Sequence, residues 1–235
     1  MKALLILTML AISISVAAST EDNTSVYWTA QGNDLLEQYK FNDSIQAYDK
    51  ALMINESHIA ALAGKGEALW KIGRYNESII SFDKALNLDP NYVRAWVGKG
   101  VALHGLGDFN GSRNAYDIAL EIDPNYAMAW NDKAWLLYKQ DQYEEAINYS
   151  DRAIDLLNED LAATLDTKGV ALEKLGKNDE ALQYIDRALE LTPSDSIVWI
   201  HRGDILKALG NQTGSDAAYA KAKELPVQAL DESSV

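Results

Sequence analysis

The side chains best suited to proton transfer or metal binding in this chain are three histidines, His58, His104 and His201. None lies in a metal-ligand spacing such as H-E-x-x-H. Cysteine is absent, which removes disulfides, thiolate metal sites, a cysteine nucleophile and a lipid-modified cysteine anchor. No G-x-S-x-G elbow occurs. Gly98-Lys99-Gly100 falls within a helical stretch, so it is no phosphate cradle. Carboxylates abound, 35 Asp and Glu against 21 Lys and Arg, for a net charge of -14. On helix faces such carboxylates are solvating, and the neighbours Asp132–Lys133 and Asp151–Arg152 read as ordinary surface charge. The acidity repels polyanions, so nucleic acid and anionic membrane surfaces are poor partners. The sequence predicts no enzyme, no cofactor and no metal.

A second chemistry is written in the asparagines. Asn-x-Ser/Thr occurs at Asn23, Asn42, Asn55, Asn76, Asn110, Asn148 and Asn211, seven of 15 asparagines. With 23 Ser and Thr in 235 residues, chance gives about one or two such triplets. Asn42, Asn76 and Asn110 also have a packing reading: asparagine caps a helix, while Ser44, Ser78 and Ser112 fill a slot for a small residue. That reading does not reach Asn23, Asn55 or Asn211. Asn148 falls within a helix and is the poorest acceptor. The excess predicts N-glycosylation in a secreted chain.

The first residues agree with export. Met1-Lys2 is a short positive start, Ala3 to Ala18 is apolar apart from small hydroxyls, and Val16-Ala17-Ala18 offers a cleavage site. This is the layout of a secretory signal peptide over 1–18. An uncleaved anchor is the alternative, though the run is short of the roughly 20 residues of a membrane span.

From there a 34-residue period takes over. Trp96 recurs as Trp130, Gly66 as Gly100, Gly169 as Gly203 and Pro90 as Pro124. Ala51, Ala85, Ala119 and Ala153 form an unbroken ladder, continued by Ala188 and Ala222. The repeats run 25–58, 59–92, 93–126, 127–160, 162–195 and 196–229, with one extra residue after the fourth and a tail at 230–235. Each reads as two amphipathic helices. A turn glycine ends the first, as in Gly73-Arg74, Gly107-Asp108 and Gly176-Lys177. A proline ends the second, as in Asp89-Pro90, Asp123-Pro124 and Thr192-Pro193.

This pattern resembles the tetratricopeptide repeat. Repeat three carries it as Trp96, Gly100, Leu103, Gly107, Phe109, Ser112, Tyr116, Ala119 and Pro124. Repeat two carries Gly66, Leu69, Gly73, Tyr75, Ser78, Phe82, Ala85 and Pro90. Departures sit in repeat one (Tyr39 for the turn glycine, Glu56 for proline) and in repeat four (Ala134, Asp141, Asn158). The resemblance implies an all-α right-handed solenoid superhelix of antiparallel helix pairs over 25–229 as a single domain. It is expected to bend or loosen between repeats four and five. Trp28, Trp96, Trp130 and Trp199 recur in register and are assigned to the core.

In such arrays the first helices line a concave groove. Projection places Glu67, Trp70, Arg94, His104, Asn131, Asp132, Trp135, Tyr138, Asp166, Glu173, His201 and Asp204 there. Trp70, Trp135 and Tyr138 either anchor a partner or fill gaps between helices. His104 and His201, nearly three repeats apart, are too distant to share a metal. Relatives that grip chaperone tails use lysine, asparagine and arginine at set inner positions. Those positions here hold Thr29, Asn33, Gly64, Arg94 and Gly98, and only Asn33 and Arg94 fit. The expected function is an exported interaction scaffold that holds a neutral or basic peptide or protein segment, with membrane contact only through an uncleaved N-terminal segment. Alternatives are a structural or adhesive surface glycoprotein and a non-catalytic subunit of an enzyme complex.

Overall fold

The computed structural model describes residues 24–156 and 162–225. The signal segment, Asn23, the extra residue at 161 and the tail lie outside the described residues. Every described element is a helix of 12 to 14 residues. They are α1 Ser25–Glu37, α2 Phe41–Ile54, α3 Ile59–Trp70, α4 Tyr75–Leu88, α5 Val93–Gly105, α6 Phe109–Ile122, α7 Ala127–Lys139, α8 Tyr143–Leu156, α9 Ala162–Lys174, α10 Asn178–Leu191, α11 Ser196–Ala208 and α12 Gln212–Glu224. The first helix of each repeat begins on the residue at which the 34-residue period begins. None of these helices is long and apolar enough to cross a membrane.

The helices gather into two compact units divided between Leu106 and Gly107, inside the third repeat. In the first unit α1/α2 and α3/α4 pair, α2 packs on α3, α4 packs on α5, and α1, α3 and α5 lie side by side. In the second unit the pairs are α7/α8, α9/α10 and α11/α12, α6 packs on α7, and α7, α9 and α11 lie side by side. The connection between repeats four and five, where a bend or loosening is expected, lies outside the described residues. The flanking α8 packs on α9, and Thr164 donates to Asn131 Oδ1 at 2.7 Å.

The alanine ladder is the closest-packed part of each pair. Ala51, Ala85, Ala119, Ala153 and Ala188 are fully buried and Ala222 nearly so. Rings fill the space that the small residues leave. Tyr48 sits between Gly32 of its own pair and Gly64 of the next, where a Cβ at either glycine would fall 2.5 Å from the ring. Phe82 sits in the same way between Gly66 and Gly98. Burial pushes the pKa of the Tyr48 phenol up to about 12, and its hydroxyl donates to Asn33 Oδ1 at 2.7 Å. In the second unit Ile185 meets Gly169 and Tyr219 meets Gly203. Ser44 and Ser78, both fully buried, donate to the Gly32 and Gly66 carbonyls at 2.7 Å.

The turn inside each pair needs a left-handed residue. Gly73, Gly107, Gly176 and Gly210 have φ between 74° and 78°. Past the turn an amide returns to the carbonyl five residues earlier, as in Arg74 to Leu69 and Lys177 to Leu172, which closes the helix end. Tyr39 and Asp141, the two departures noted in the sequence, adopt the same region at φ 58° and 59°. So the turn is kept and the residue is strained.

Replacing Tyr39 by glycine should stabilise the first unit. A side chain in this region costs about 1–2 kcal/mol, and the flexibility of an unfolded glycine returns part of that. Tyr39 is 80% exposed and meets the Phe41 ring edge-on, so a net gain of about 0.5–1 kcal/mol is expected. Urea unfolding measures it, and a loss for Tyr39→Gly would refute the strain. Gly64→Ala should cost about 1–3 kcal/mol, because the Tyr48 ring has nowhere to move.

Candidate functional site

In the first unit, α3 carries Glu67 and Trp70, and α5 carries Arg94 and His104. Glu67 and Arg94 meet across the two helices at 2.5 Å. Burial opposes the Arg94 charge, but Glu67 more than offsets it and raises the Arg94 pKa. This arginine is therefore committed to a carboxylate. Trp70 packs against the core around Leu62, Ala63 and Phe82, and the Lys71 amine lies 4.0 Å above its ring. Trp70 is half-buried, so the ring both packs on the core and keeps an exposed part. His104 is half-buried on α5. Gly64 and Gly98, the other places tested for a carboxylate clamp, are pressed against Tyr48 and Phe82. A clamp lysine has no room at either.

The second unit brings more of the expected residues together. Trp135 and Tyr138 on α7 stack with centroids 5.3 Å apart and planes at 24°, and Tyr143 adds a third ring 5.8 Å from Tyr138. The Lys139 amine covers the other part of Trp135 at 4.7 Å, where burial lowers its pKa. Burial raises the Tyr138 pKa. Asn131 donates to Asp132 Oδ1 at 3.3 Å. On α9, Asp166 is 9% exposed and meets His201 Nδ1 of α11 at 2.8 Å. Burial works against a charged His201 ring; the Asp166 carboxylate outweighs it, Asp204 and Asp195 add to it, and the pKa rises. Glu173 pairs with the adjacent Lys174 at 3.1 Å. Asp204 accepts from the Tyr219 hydroxyl of α12 at 2.6 Å. Among the described residues no group of three or more His, Asp or Glu could hold a metal ion.

A feature not anticipated from the sequence runs through both units. The first helix of a repeat sends a cation back to an aspartate on the second helix of the repeat before. Lys65 meets Asp49 and Lys99 meets Asp83 at 2.6 Å. Lys133 meets Asp117, Lys168 meets Asp151, and Arg202 meets Asp186 at 2.7 Å. Lys133 and Lys168 have only 8% of their side chains exposed. Each also bonds a tyrosine hydroxyl, Tyr149 at 2.9 Å and Tyr184 at 2.8 Å. Burial opposes both ammonium charges, the aspartate and tyrosine oxygens outweigh it, and both pKa values rise. This corrects the assignment of Asp132–Lys133 and Asp151–Arg152 as surface pairs. Lys133 and Asp151 pair with residues 16 and 17 positions away. The signal was present: these cations and aspartates recur at the same 34-residue step, shifted once by the extra residue.

Trp96, Trp130 and Trp199 are half-buried; Trp96 and Trp199 pack against the edge of the core clusters. Each indole N–H donates to the carbonyl of the turn proline, Pro90, Pro124 and Pro193, at 2.8, 2.9 and 3.0 Å. Trp28 is half-buried as well, with the Lys50 amine 4.0 Å over its ring. Asn42, Asn76 and Asn110 are not caps. The caps of α2, α4 and α6 are Lys40, Arg74 and Asp108, and the asparagines follow inside the first turn. Asn211 does cap α12, accepting from the Gly214 amide.

Comparison with known proteins follows the same boundaries. Family patterns described as tetratricopeptide repeat or TPR repeat match residues 66–107, 93–126, 125–194 and 167–229. Together they run without a gap from 66 to 229. The chain is a tetratricopeptide repeat protein. No curated protein matches its sequence. A structure of the APC/C hetero-tetramer Cut9–Hcn1 contains a chain of TM-score 0.83 and 16% identity. The match covers 96% of this chain and 44% of that one, so the protein spans less than half of that relative's length. Pseudomonas aeruginosa pilF has TM-score 0.71 and 15% identity, with 88% and 94% of the chains covered. A thermophilic TPR protein of Thermus thermophilus has TM-score 0.69 and 19% identity, with 79% and 98% covered. At these identities the likeness is one of fold. Tetratricopeptide repeat proteins bind protein partners, and the fold is typically non-catalytic.

Two measurements test the repeat-to-repeat ion pairs. Asp117→Ala strands the nearly buried Lys133 ammonium, whereas Asp49→Ala frees a Lys65 that water already reaches. The first should cost about 1–2 kcal/mol, half of Asp117 being in water, and the second under about 1 kcal/mol; equal urea midpoints would show the burial to be immaterial. The imidazole of His201 should titrate above the ordinary value of about 6.5, and Asp166→Asn should lower it. Its contribution to stability is then full below about pH 6.5 and fades as pH rises through the raised folded value. An NMR titration unmoved by Asp166→Asn would exclude the coupling.

Proposed function

We propose that this tetratricopeptide repeat protein is an exported scaffold that holds a neutral or basic segment of a partner protein against the first-helix face of its second unit. The carrying observation is the fate of the charges. Lys133, Lys168 and Arg202 lie on the first helices but turn to Asp117, Asp151 and Asp186 on the second helices. Asp132, Asp166, Glu173 and Asp204 stay on the first helices; Asp166 and Glu173 lie near Tyr138, which stacks on Trp135, and their partners there are His201 and the adjacent Lys174. Carboxylates next to an aromatic shelf suit a segment with lysine or arginine and an apolar side chain. In the first unit Arg94 is already paired with Glu67, which disfavours capture of an acidic tail. A similar fold in a hetero-tetrameric complex is compatible with a scaffolding role.

Export rests on the composition of residues 1–18, with a membrane-held form if that segment stays uncleaved. The excess of Asn-x-Ser/Thr triplets favours a second reading, a surface glycoprotein with structural or adhesive work. A chain that carries sugar and captures no peptide fits that reading better.

The test compares peptides with the same apolar residues but lysine or glutamate flanks, added to the chain without residues 1–18. The lysine peptide should bind and weaken with salt. Trp135→Ala should weaken it about tenfold, or about 1.4 kcal/mol. Trp70→Ala, which removes a packed ring, should lower stability and leave affinity nearly unchanged. Equal binding of the two peptides, or full binding by Trp135→Ala, would refute the proposed face.

A further inference from the structure

The triplets differ in what their hydroxyl residue does. Ser44, Ser78, Ser112 and Ser150, which complete those of Asn42, Asn76, Asn110 and Asn148, are all fully buried. Ser44 and Ser78 are bonded to carbonyls across the helix pair. Once these pairs fold, the hydroxyl that a glycosyl transferase must engage is out of reach. In the triplet of Asn55 both Asn55 and Ser57 are exposed, on the turn between α2 and α3.

That turn is also the one place where the repeat pattern has been rewritten for this chemistry. Repeats two and three end in Asp89-Pro90-Asn91 and Asp123-Pro124-Asn125, and repeat one ends in Asn55-Glu56-Ser57. The geometry is unchanged. Asp89 and Asp123 accept from the amide two residues on at 3.0 Å, and Asn55 Oδ1 accepts from the Ser57 amide at 3.1 Å. All three caps are extended, with φ -142° and ψ 98° at Asn55. Aspartate would serve this turn equally well, so packing does not call for the asparagine. Proline in the middle of the triplet would block the modification, and the pattern's proline is Glu56 here. Three departures in a row convert a turn into an acceptor. Beside it Met53 is 87% exposed, Ile54 47% and Leu88 45%, an apolar edge that a bulky polar group would shield.

We infer that Asn55 is the principal N-glycosylation site of the described chain. This inference rests on export, since the donor, a polyprenyl-diphosphate-linked glycan, is met across a membrane. The Asn55 carboxamide nitrogen attacks the anomeric carbon of the glycan. The C–N bond forms as the C–O bond to the diphosphate breaks, the diphosphate leaves with the bonding pair, and the nitrogen's proton passes to a base of the transferase. The triplet of Asn211 is exposed at both Asn211 and Thr213 as well, with Asn211 Oδ1 accepting from the Gly214 amide; it is the second accessible acceptor, and it lacks the replaced proline and the exposed apolar edge that mark Asn55.

The test expresses the full chain in a cell line whose secretory pathway carries out N-glycosylation. A second arm replaces residues 1–18 with a signal sequence of proven export. Secreted protein is mapped by peptide mass after enzymatic release of the sugar. Most molecules in the second arm should carry sugar at Asn55 and few at Asn42, Asn76, Asn110 or Asn148. Asn55→Gln should remove the main glycoform from the intact mass. A bare Asn55 in secreted protein, or equal occupancy at the four buried-hydroxyl triplets, overturns the inference. Retention of the full chain inside the cell while the second arm is modified at Asn55 overturns export alone.

Discussion

A ring held between two glycines is the contact on which the first unit depends. Gly32 lets α1 approach Tyr48, and Gly64 lets α3 approach the same ring from the next repeat. One side chain thus sets the spacing within a pair and between pairs. Phe82 repeats the arrangement with Gly66 and Gly98. Because the ring is rigid and interiors pack to crystal-like density, neither spacing can drift. The serine-to-carbonyl bonds, the alanine contacts and the turn residues all presuppose that approach. This is also why inner positions that hold a clamp in other tetratricopeptide domains are occupied by backbone and ring here.

The repeat was legible because packing of this kind is periodic. Six copies of a slot that accepts only a small residue leave a visible column of alanines, and the six first helices begin where the period predicts. Tyr39 and Asp141 show how far that legibility extends: the slot was recognised by its glycines, and the structure shows that the backbone overrides the residue. The candidate site was read less well. Lys133 and Asp151 look like solvated charges beside Asp132 and Arg152, since these are their neighbours in sequence. On a helix, neighbours in sequence point different ways, and the real partners are one helix away. The indole bonds of Trp96, Trp130 and Trp199 were hidden for a similar reason. A recurring tryptophan suggests a core, and only coordinates show its N–H reaching the proline carbonyl.

Function separates from fold at the same boundary. Solved chains that match this one number 367, so the fold says little about what is bound. What distinguishes this chain lies in the places where repeats disagree. Trp135 takes a position where other repeats carry Glu67, Val101 or Val170, and Tyr138 one that varies from Trp70 to His104 and Glu173. Asp132 stands where repeats two and three have Gly64 and Gly98, adding a carboxylate where the others bring backbone. Asn55, Glu56 and Ser57 change a turn without changing its geometry. In a repeat protein the shared positions are committed to stacking, and individuality is confined to the rest.

The cation-to-aspartate pairs have a consequence for ancestry. Repeats two to five each offer a cation at the front and an aspartate at the back, repeat one supplies only the aspartate and repeat six only the arginine, and all five junctions between successive repeats use them. Excising one whole repeat brings an orphaned cation and an orphaned aspartate together, and duplicating one supplies both halves of a new junction. The gene can therefore lengthen or shorten by whole internal repeats without exposing an unmatched charge. The nearly buried Lys133 and Lys168, costly to strand singly, make any other change of length hard to tolerate.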